Sequence, residues 1–390
     1  MYRLLRPLLF RFEAESAHGL GVGAARLGQR APGVVRALFP RADARLAQTV
    51  WGLRFASPVG LAAGFDKNAE LVRFWAALGL GSAEVGSVSA CASAGNPRPR
   101  AFRLPDDGAL VNRMGLNNDG AETVAARLAA TPRPPGFVVG VNVAKTHSPD
   151  ILGDAGIDDF RASVRALAPQ ADYLALNVSC PNTAEGKTFE DADALDSLLA
   201  AVMAELGDRR PPTGNQGGSE SGGSPMADGR SPRAPRPLPL LVKLSPPPAS
   251  GVDAGAVDEL VAICLRHGVD GFITSNTASD RDGLATEAGA VERIGRGGLS
   301  GRPLAKRAAA LTRHLYRTTD GAVPIVGVGG IDSADEAYAR VRAGASLVQL
   351  YTALVYEGPG LVGRIHRGLV ERLDRDGLAT LADAVGLDAS

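Results

Sequence analysis

Short, nearly continuous apolar runs recur along the chain at 59–62, 83–88, 137–143, 173–177, 238–244, 271–275, 323–328 and 347–351. Between them, apolar positions at helical spacing predict helices, as at 69–78, 121–129, 195–206 and 257–267. Strands without polar alternation are buried on both faces, and strands alternating with helices predict a parallel sheet covered by helices. Eight such units are the closing number of the (β/α)8 barrel, the TIM barrel, so the expected fold class is α/β of that kind. A doubly wound open sheet is the rival. It would carry a glycine-rich phosphate turn after its first strand and an acidic residue after the next, and the stretch 60–66 lacks that pattern.

The first residues follow a different rhythm. Leu4, Leu5, Leu8, Leu9 and Phe12 recur at helical spacing with Arg3, Arg6 and Arg11 beside them, and Pro7 suits only a first turn or a kink. The run is too short to span a bilayer, which takes about 20 apolar residues. Nor is it a secretory signal, because Arg6 and Arg11 break its apolar part. Two readings stay open: a helix packed on the barrel, or an interfacial helix with its apolar face in lipid. A second helical stretch is expected over 34–50, interrupted near Pro40. The expected organisation is an N-terminal helical extension over 1–50 and a barrel over 51–390. Two long excursions, 89–120 and 276–302, leave C-terminal strand ends, where long loops serve active sites. The stretch 209–237 is dense in Gly, Ser and Pro and is expected to be a disordered insertion before the fifth strand.

Composition narrows the function. In 390 residues, 42 basic side chains balance 42 acidic ones, so no overall field draws nucleic acid. Cys91, Cys180 and Cys264 form no paired motif and, with five histidines, no metal-ligating cluster, so no metal is expected. Cys264, within an apolar helix, reads as a small buried hydrophobe.

The candidate chemistry gathers where strands end. The fourth strand stops abruptly in Asn177, Ser179, Cys180 and Asn182, with Pro181 unable to continue a ladder. Lys243 lies inside an apolar strand and Lys67 closes the first strand's turn; a charge in such a place calls for a structural ion pair or an anionic ligand. Asn112, Asn117, Asn142, Asn177, Asn182 and Asn276 collect at the same barrel end, a cage of donors and acceptors for a flat polar heterocycle. After the last two strands, Gly329, Gly330, Tyr351 and Thr352 suit a cofactor phosphate, the commonest use of those loops in this fold.

Five ordered motifs then carry a resemblance: Gly60-Leu-Ala-Ala-Gly-Phe-Asp-Lys67, Asn112-Arg-Met-Gly-Leu-Asn-Asn118, Asn177-Val-Ser-Cys-Pro-Asn-Thr183, Gly297-Gly-Leu-Ser-Gly-Arg-Pro303 and Ile325-Val-Gly-Val-Gly-Gly-Ile-Asp332. Together they resemble the dihydroorotate dehydrogenases, most closely the quinone-dependent, membrane-associated class 2 form, from the N-terminus to about residue 373. The resemblance implies one FMN per chain and oxidation of (S)-dihydroorotate to orotate in pyrimidine synthesis, with a membrane quinone as final acceptor. It implies FMN contacts from Ala63, Gly64, Phe65, Asp66, Lys67, Ser87, Asn142, Asn177, Lys243, Ser275, Gly301, Gly330, Tyr351 and Thr352. Substrate contacts would come from Lys67, Asn112, Arg113, Met114, Gly115, Leu116, Asn177, Asn182, Asn276 and Thr277, with Cys180 as the catalytic base. Class 2 enzymes usually have serine at that last position, and cysteine is typical of the soluble class 1 enzymes that use fumarate or NAD. About 50 residues precede the first strand, as in class 2. A flavin-dependent tRNA dihydrouridine synthase would need a basic RNA-binding surface. The implied setting is peripheral, on the cytoplasmic face of the cell membrane, with lipid met through the N-terminal helices and no obligate protein partner.

Overall fold

The computed structural model describes residues 2–39, 41–179, 189–207 and 238–389. Cys180, Asn182 and the stretch 209–237 lie outside the described residues. Eight strands close a parallel barrel in chain order: β1 (Val59–Leu61), β2 (Ser82–Val88), β3 (Val138–Val143), β4 (Tyr173–Asn177), β5 (Leu240–Leu244), β6 (Gly271–Thr274), β7 (Ile325–Val328) and β8 (Ala345–Leu350). β8 pairs with β1 through Val348–Val59 and Leu350–Leu61, which completes the ring.

The expected strand over 238–244 starts at Leu240 and that over 323–328 at Ile325. Each is shortened by a proline, Pro239 or Pro324, which brings no N–H to a ladder. Barrel and helices share a continuous core that includes Leu61, Val85, Val141, Leu174, Val242 and Phe272. A second cluster, among it Val138, Tyr173, Leu241, Ile273 and Leu347, fills the barrel interior. An antiparallel hairpin, Gln48–Val50 with Leu53–Phe55, turns through Trp51 and Gly52, both at positive φ. Trp51 donates its indole N–H to Asp270 O at 2.7 Å and sets its ring 5.8 Å from that of Tyr173, so the hairpin closes the barrel floor.

The opposite end carries a rim. The two excursions contribute Ala101–Leu104, Ala109–Asn112 and Gly298–Gly301 to one antiparallel sheet over the mouth. Against it lie three helices, α1 (Tyr2–Leu9), α2 (Ala14–Gly28) and α3 (Pro32–Leu38). The helix expected over 34–50 is thus replaced by α3, a short 3-10 turn at Ala44–Leu46 and the first hairpin strand. The sequence reading passed over α2 because Gly19, Gly21, Gly23 and Gly28 give it low intrinsic propensity. Tertiary contacts hold it: Glu13 caps its first turn through Ser16 N at 2.9 Å, Glu15 pairs with Arg100 at 2.8 Å, and Arg26 pairs with Glu70. α1 is fastened by Tyr2 to Val355 O, by Arg6 to Tyr356 O at 3.2 Å, and by Phe10 stacked edge-on against Tyr356 at 5.4 Å. Its outer face leaves Leu4, Leu5 and Leu8 exposed, joined by Phe12, Leu20, Leu27, Val34 and Leu38.

Candidate active site

A cavity of about 340 Å³ opens at the C-terminal end of the barrel strands. Ala63, Gly64, Lys67, Ser87, Asn112, Met114, Gly115, Leu116, Asn177, Lys243, Ser275, Asn276, Thr277, Gly301, Gly330, Tyr351 and Thr352 all line it. The parallel strands present these side chains at their ends, so residues nearly 300 positions apart become neighbours.

The amides form a connected set. Asn276 donates from Nδ2 to Asn177 Oδ1 at 2.9 Å and to Ser179 Oγ at 3.0 Å, while its own Oδ1 accepts from Thr277 N at 2.8 Å. Asn177 in turn donates to Ser87 Oγ at 3.0 Å. Ser179 is fully buried and donates to Lys243 O at 2.9 Å, so its hydroxyl serves the loop and not the cavity.

The cations sit differently. Lys67 donates to Gly64 O at 2.7 Å. Burial, helped by the nearby Arg100 charge and opposed by Glu15 and Asp66, lowers its pKa to about 8. Lys243 is buried on β5 with Nζ 3.6 Å from Glu84 Oε1, and its residue also lines the cavity. The ion pair and the ligand-facing position therefore coexist.

At the far side, the loop after β7 and the end of the excursion after β6 make a glycine cradle beside Thr352. Gly330 has φ +77°, and a Cβ there would lie 2.5 Å from Ala305 N; Gly301 has φ +104°, and a Cβ would lie 2.5 Å from Gly108 O. Ser300 and Thr352 hydroxyls meet at 2.8 Å beside it. The buried Arg340 supports this loop from behind, donating to Val328 O at 3.2 Å, Gly329 O at 2.9 Å and Ala305 O at 3.0 Å.

Five described residues expected at the site, Phe65, Asp66, Arg113, Asn117 and Asn142, do not line the cavity. The Asp66 carboxylate is buried and accepts from Glu70 N, Leu71 N and Trp75 Nε1 at 2.8, 2.9 and 3.1 Å, which ties the turn before the helix Val72–Ala77 to that helix's Trp75. Phe65 packs edge-on against His18, Trp75 and Tyr351. Arg113 lies over the Phe102 ring and donates to Ile294 O, which ties the two excursions together. Asn142 is fully buried behind Ser87, from which it accepts. Sequence reasoning passed over Glu84 and Gln349, polar residues inside strands read as apolar; the argument used for Lys243 applies equally to both. Arg6, Arg302, Asp332, Tyr356 and Glu357 extend the lining towards α1. Cys264 is buried, which pushes its thiol up to about 12 and leaves it a packing role.

Fold and site together define a (β/α)8 barrel with a polar, lysine-bearing cavity at the C-terminal ends of its strands, the place where enzymes of this fold keep their chemistry. The dihydroorotate dehydrogenase family model matches residues 45–373. The chain belongs to that family. A dihydroorotate dehydrogenase (quinone) of Deinococcus deserti is 46% identical over 393 residues and covers 100% of both chains. One of the same name from Halobacterium salinarum is 43% identical over 391 residues, again covering 100% of both. Among solved structures, the Eimeria tenella enzyme in complex with ferulenol is 32% identical with a TM-score of 0.81, over 96% of this chain and 95% of that one. Both curated relatives carry the name of the quinone form.

Proposed function

We propose that the protein oxidises (S)-dihydroorotate to orotate, the redox step of pyrimidine synthesis leading to UMP, and passes the electrons to a membrane quinone. One observation carries this reading: two lysines, three asparagines and a glycine cradle converge on a single cavity at the barrel mouth. The residues also fit FMN. Gln349 Oε1 is buried at the cavity wall without a hydrogen-bond partner, and Gly301, Gly330 and Thr352 line the same cavity. FMN, when bound, supplies a two-electron acceptor.

The chain's own residues then divide the work. Gly301, Gly330 and Thr352 would take the phosphate, and Ser87, Asn177 and Ser275 would hold the ring. Lys243 places a cation where negative charge develops on reduction. Asn112, Asn177, Asn276 and Lys67 orient the substrate, with Asn182 completing the amide set. Cys180 takes the C5 proton as the hydride leaves C6. Ser179 is a poor candidate for that base, since its hydroxyl is already committed to Lys243 O and Asn276.

Membrane contact is assigned to α1–α3, where exposed Leu4, Leu5, Leu8 and Leu27 lie among arginines, the composition of an interfacial surface. No helix among the described residues is long and apolar enough to cross a membrane. The expected location is peripheral, on the cytoplasmic face. The test is spectroscopic: the purified protein should be yellow, bleach with dihydroorotate under anaerobic conditions and regain colour on adding quinone. A colourless protein that binds no FMN, or a flavin that dihydroorotate does not reduce, overturns the reading.

A further inference from the structure

Glu84, on β2, is completely buried inside the barrel, and the reading above gives it no task. Burying a carboxylate is costly unless its oxygens are satisfied by donors or by an opposite charge. Here every partner donates. Asn142 Nδ2 reaches Oε1 at 2.8 Å, Gln349 Nε2 and the Tyr173 hydroxyl reach Oε2 at 2.9 and 3.2 Å, and Lys243 Nζ stands 3.6 Å from Oε1.

The same carboxylate ends a chain that begins at the cavity rim. Asn276 donates to Asn177, Asn177 to Ser87, Ser87 to Asn142, and Asn142 to Glu84. All four bonds run in one direction. Turning any amide over would set two donors or two acceptors face to face, so a terminal acceptor fixes which edge Asn177 and Asn276 offer a ligand.

We propose that Glu84 is a positioning residue for the redox reaction: it is the counter-ion that holds Lys243 at the cavity floor, moderates that cation's field on the bound ring, and sets the polarity of the amide chain. The proposal rests on the reading that FMN lies beside Lys243. A fixed negative charge behind the cation opposes charge gained on reduction, so Glu84 holds the flavin's midpoint potential below the value Lys243 alone would give.

The test is the midpoint potential of the flavin bound to Glu84→Gln, measured by dye-equilibrated titration of the holoenzyme. The Tyr173 hydroxyl accepts as well as donates, so it can take the new side-chain N–H while Gln349 Nε2 keeps its bond of 3.4 Å to that hydroxyl, and the interior stays satisfied. The expected result is preferential binding of reduced over oxidised FMN by roughly tenfold, an upward shift of about 30 mV for a two-electron couple. Tyr173→Phe removes a hydrogen bond to the same oxygen but no charge, and its potential stays at the wild-type value. Should Glu84→Gln fail to fold, Glu84→Asp withdraws the carboxylate by one methylene and shifts the potential upward by a smaller amount. An unchanged potential in a flavin-loaded Glu84 variant, or an equal shift in Tyr173→Phe, overturns the proposal. A wild-type protein that takes up no FMN overturns the cofactor reading instead, and the two failures are told apart by colour.

Discussion

Raising the pH should weaken binding of the anionic product orotate, and Lys67 sets where that begins. Burial has lowered its pKa from 10.5 to about 8, so the ammonium that would meet a carboxylate titrates within the working range. An anion binds the charged form and raises the lysine pKa in the complex; affinity is therefore full below the free value and falls as pH rises through it. From the pKa of about 8, the protonated fraction is about 0.9 near pH 7 and about 0.1 near pH 9, so the dissociation constant should rise roughly tenfold, or about 1.4 kcal/mol. Neighbouring groups do not confuse the window, because burial lowers His18 to about 4 and raises Tyr351 to about 12. The assay is titration of orotate against the flavin spectrum at a series of pH values. Lys67→Arg keeps its charge throughout and should flatten the curve, which separates Lys67 from the Cys180 thiol. A wild-type dissociation constant that stays level across this range, or one that rises equally in Lys67→Arg, would refute the reasoning.

Cys180→Ala should retain FMN yet lose several orders of magnitude in the rate of flavin reduction by dihydroorotate, whereas Cys180→Ser should stay active with its optimum moved to higher pH, since a weaker acid must lose its proton; single-turnover absorbance decides, and a wild-type rate in the alanine variant removes the base assignment. Deleting residues 1–48 should release the protein from vesicles and depress turnover with a long-chain quinone far more than with a soluble dye, and equal losses would mean that α1–α3 only brace the barrel. Arg340→Met strips the donors from Val328 O, Gly329 O and Ala305 O, and should destabilise the protein by roughly 3 kcal/mol in thermal or denaturant unfolding; a change under about 0.5 kcal/mol, the scale of an unremarkable surface substitution, would show the arginine to be dispensable.

The barrel was legible because its strands are buried on both faces and carry no polar alternation: Tyr173–Asn177 has the bounds that its apolar run predicts. Where the reading slipped, a local rule had been overridden. The apolar run 347–351 predicts a strand that ends at Tyr351, yet that residue stands at the cap of the helix Thr352–Glu357. The rim sheet was invisible because its strands come from segments nearly 190 residues apart, paired as Gly298 with Asn112, and nothing local marks such a partner. For the site, glycines, amides and lysines declared themselves by being costly where they stand. Asp66 misleads because a ligand-facing and a structural carboxylate are indistinguishable on paper; only the geometry gives its oxygens to Glu70, Leu71 and Trp75.

The sealed floor has a consequence for proton traffic. With Trp51 seated on Tyr173 and bonded to Asp270 O, the described residues cover Glu84 on that side, and the mouth lies at the opposite end. A ligand seated at the mouth would cover the side of Glu84 that the hairpin does not. Charge developing there would be answered by the aligned hydroxyl and amides of Ser87, Asn142 and Asn177 and not by ions entering from below.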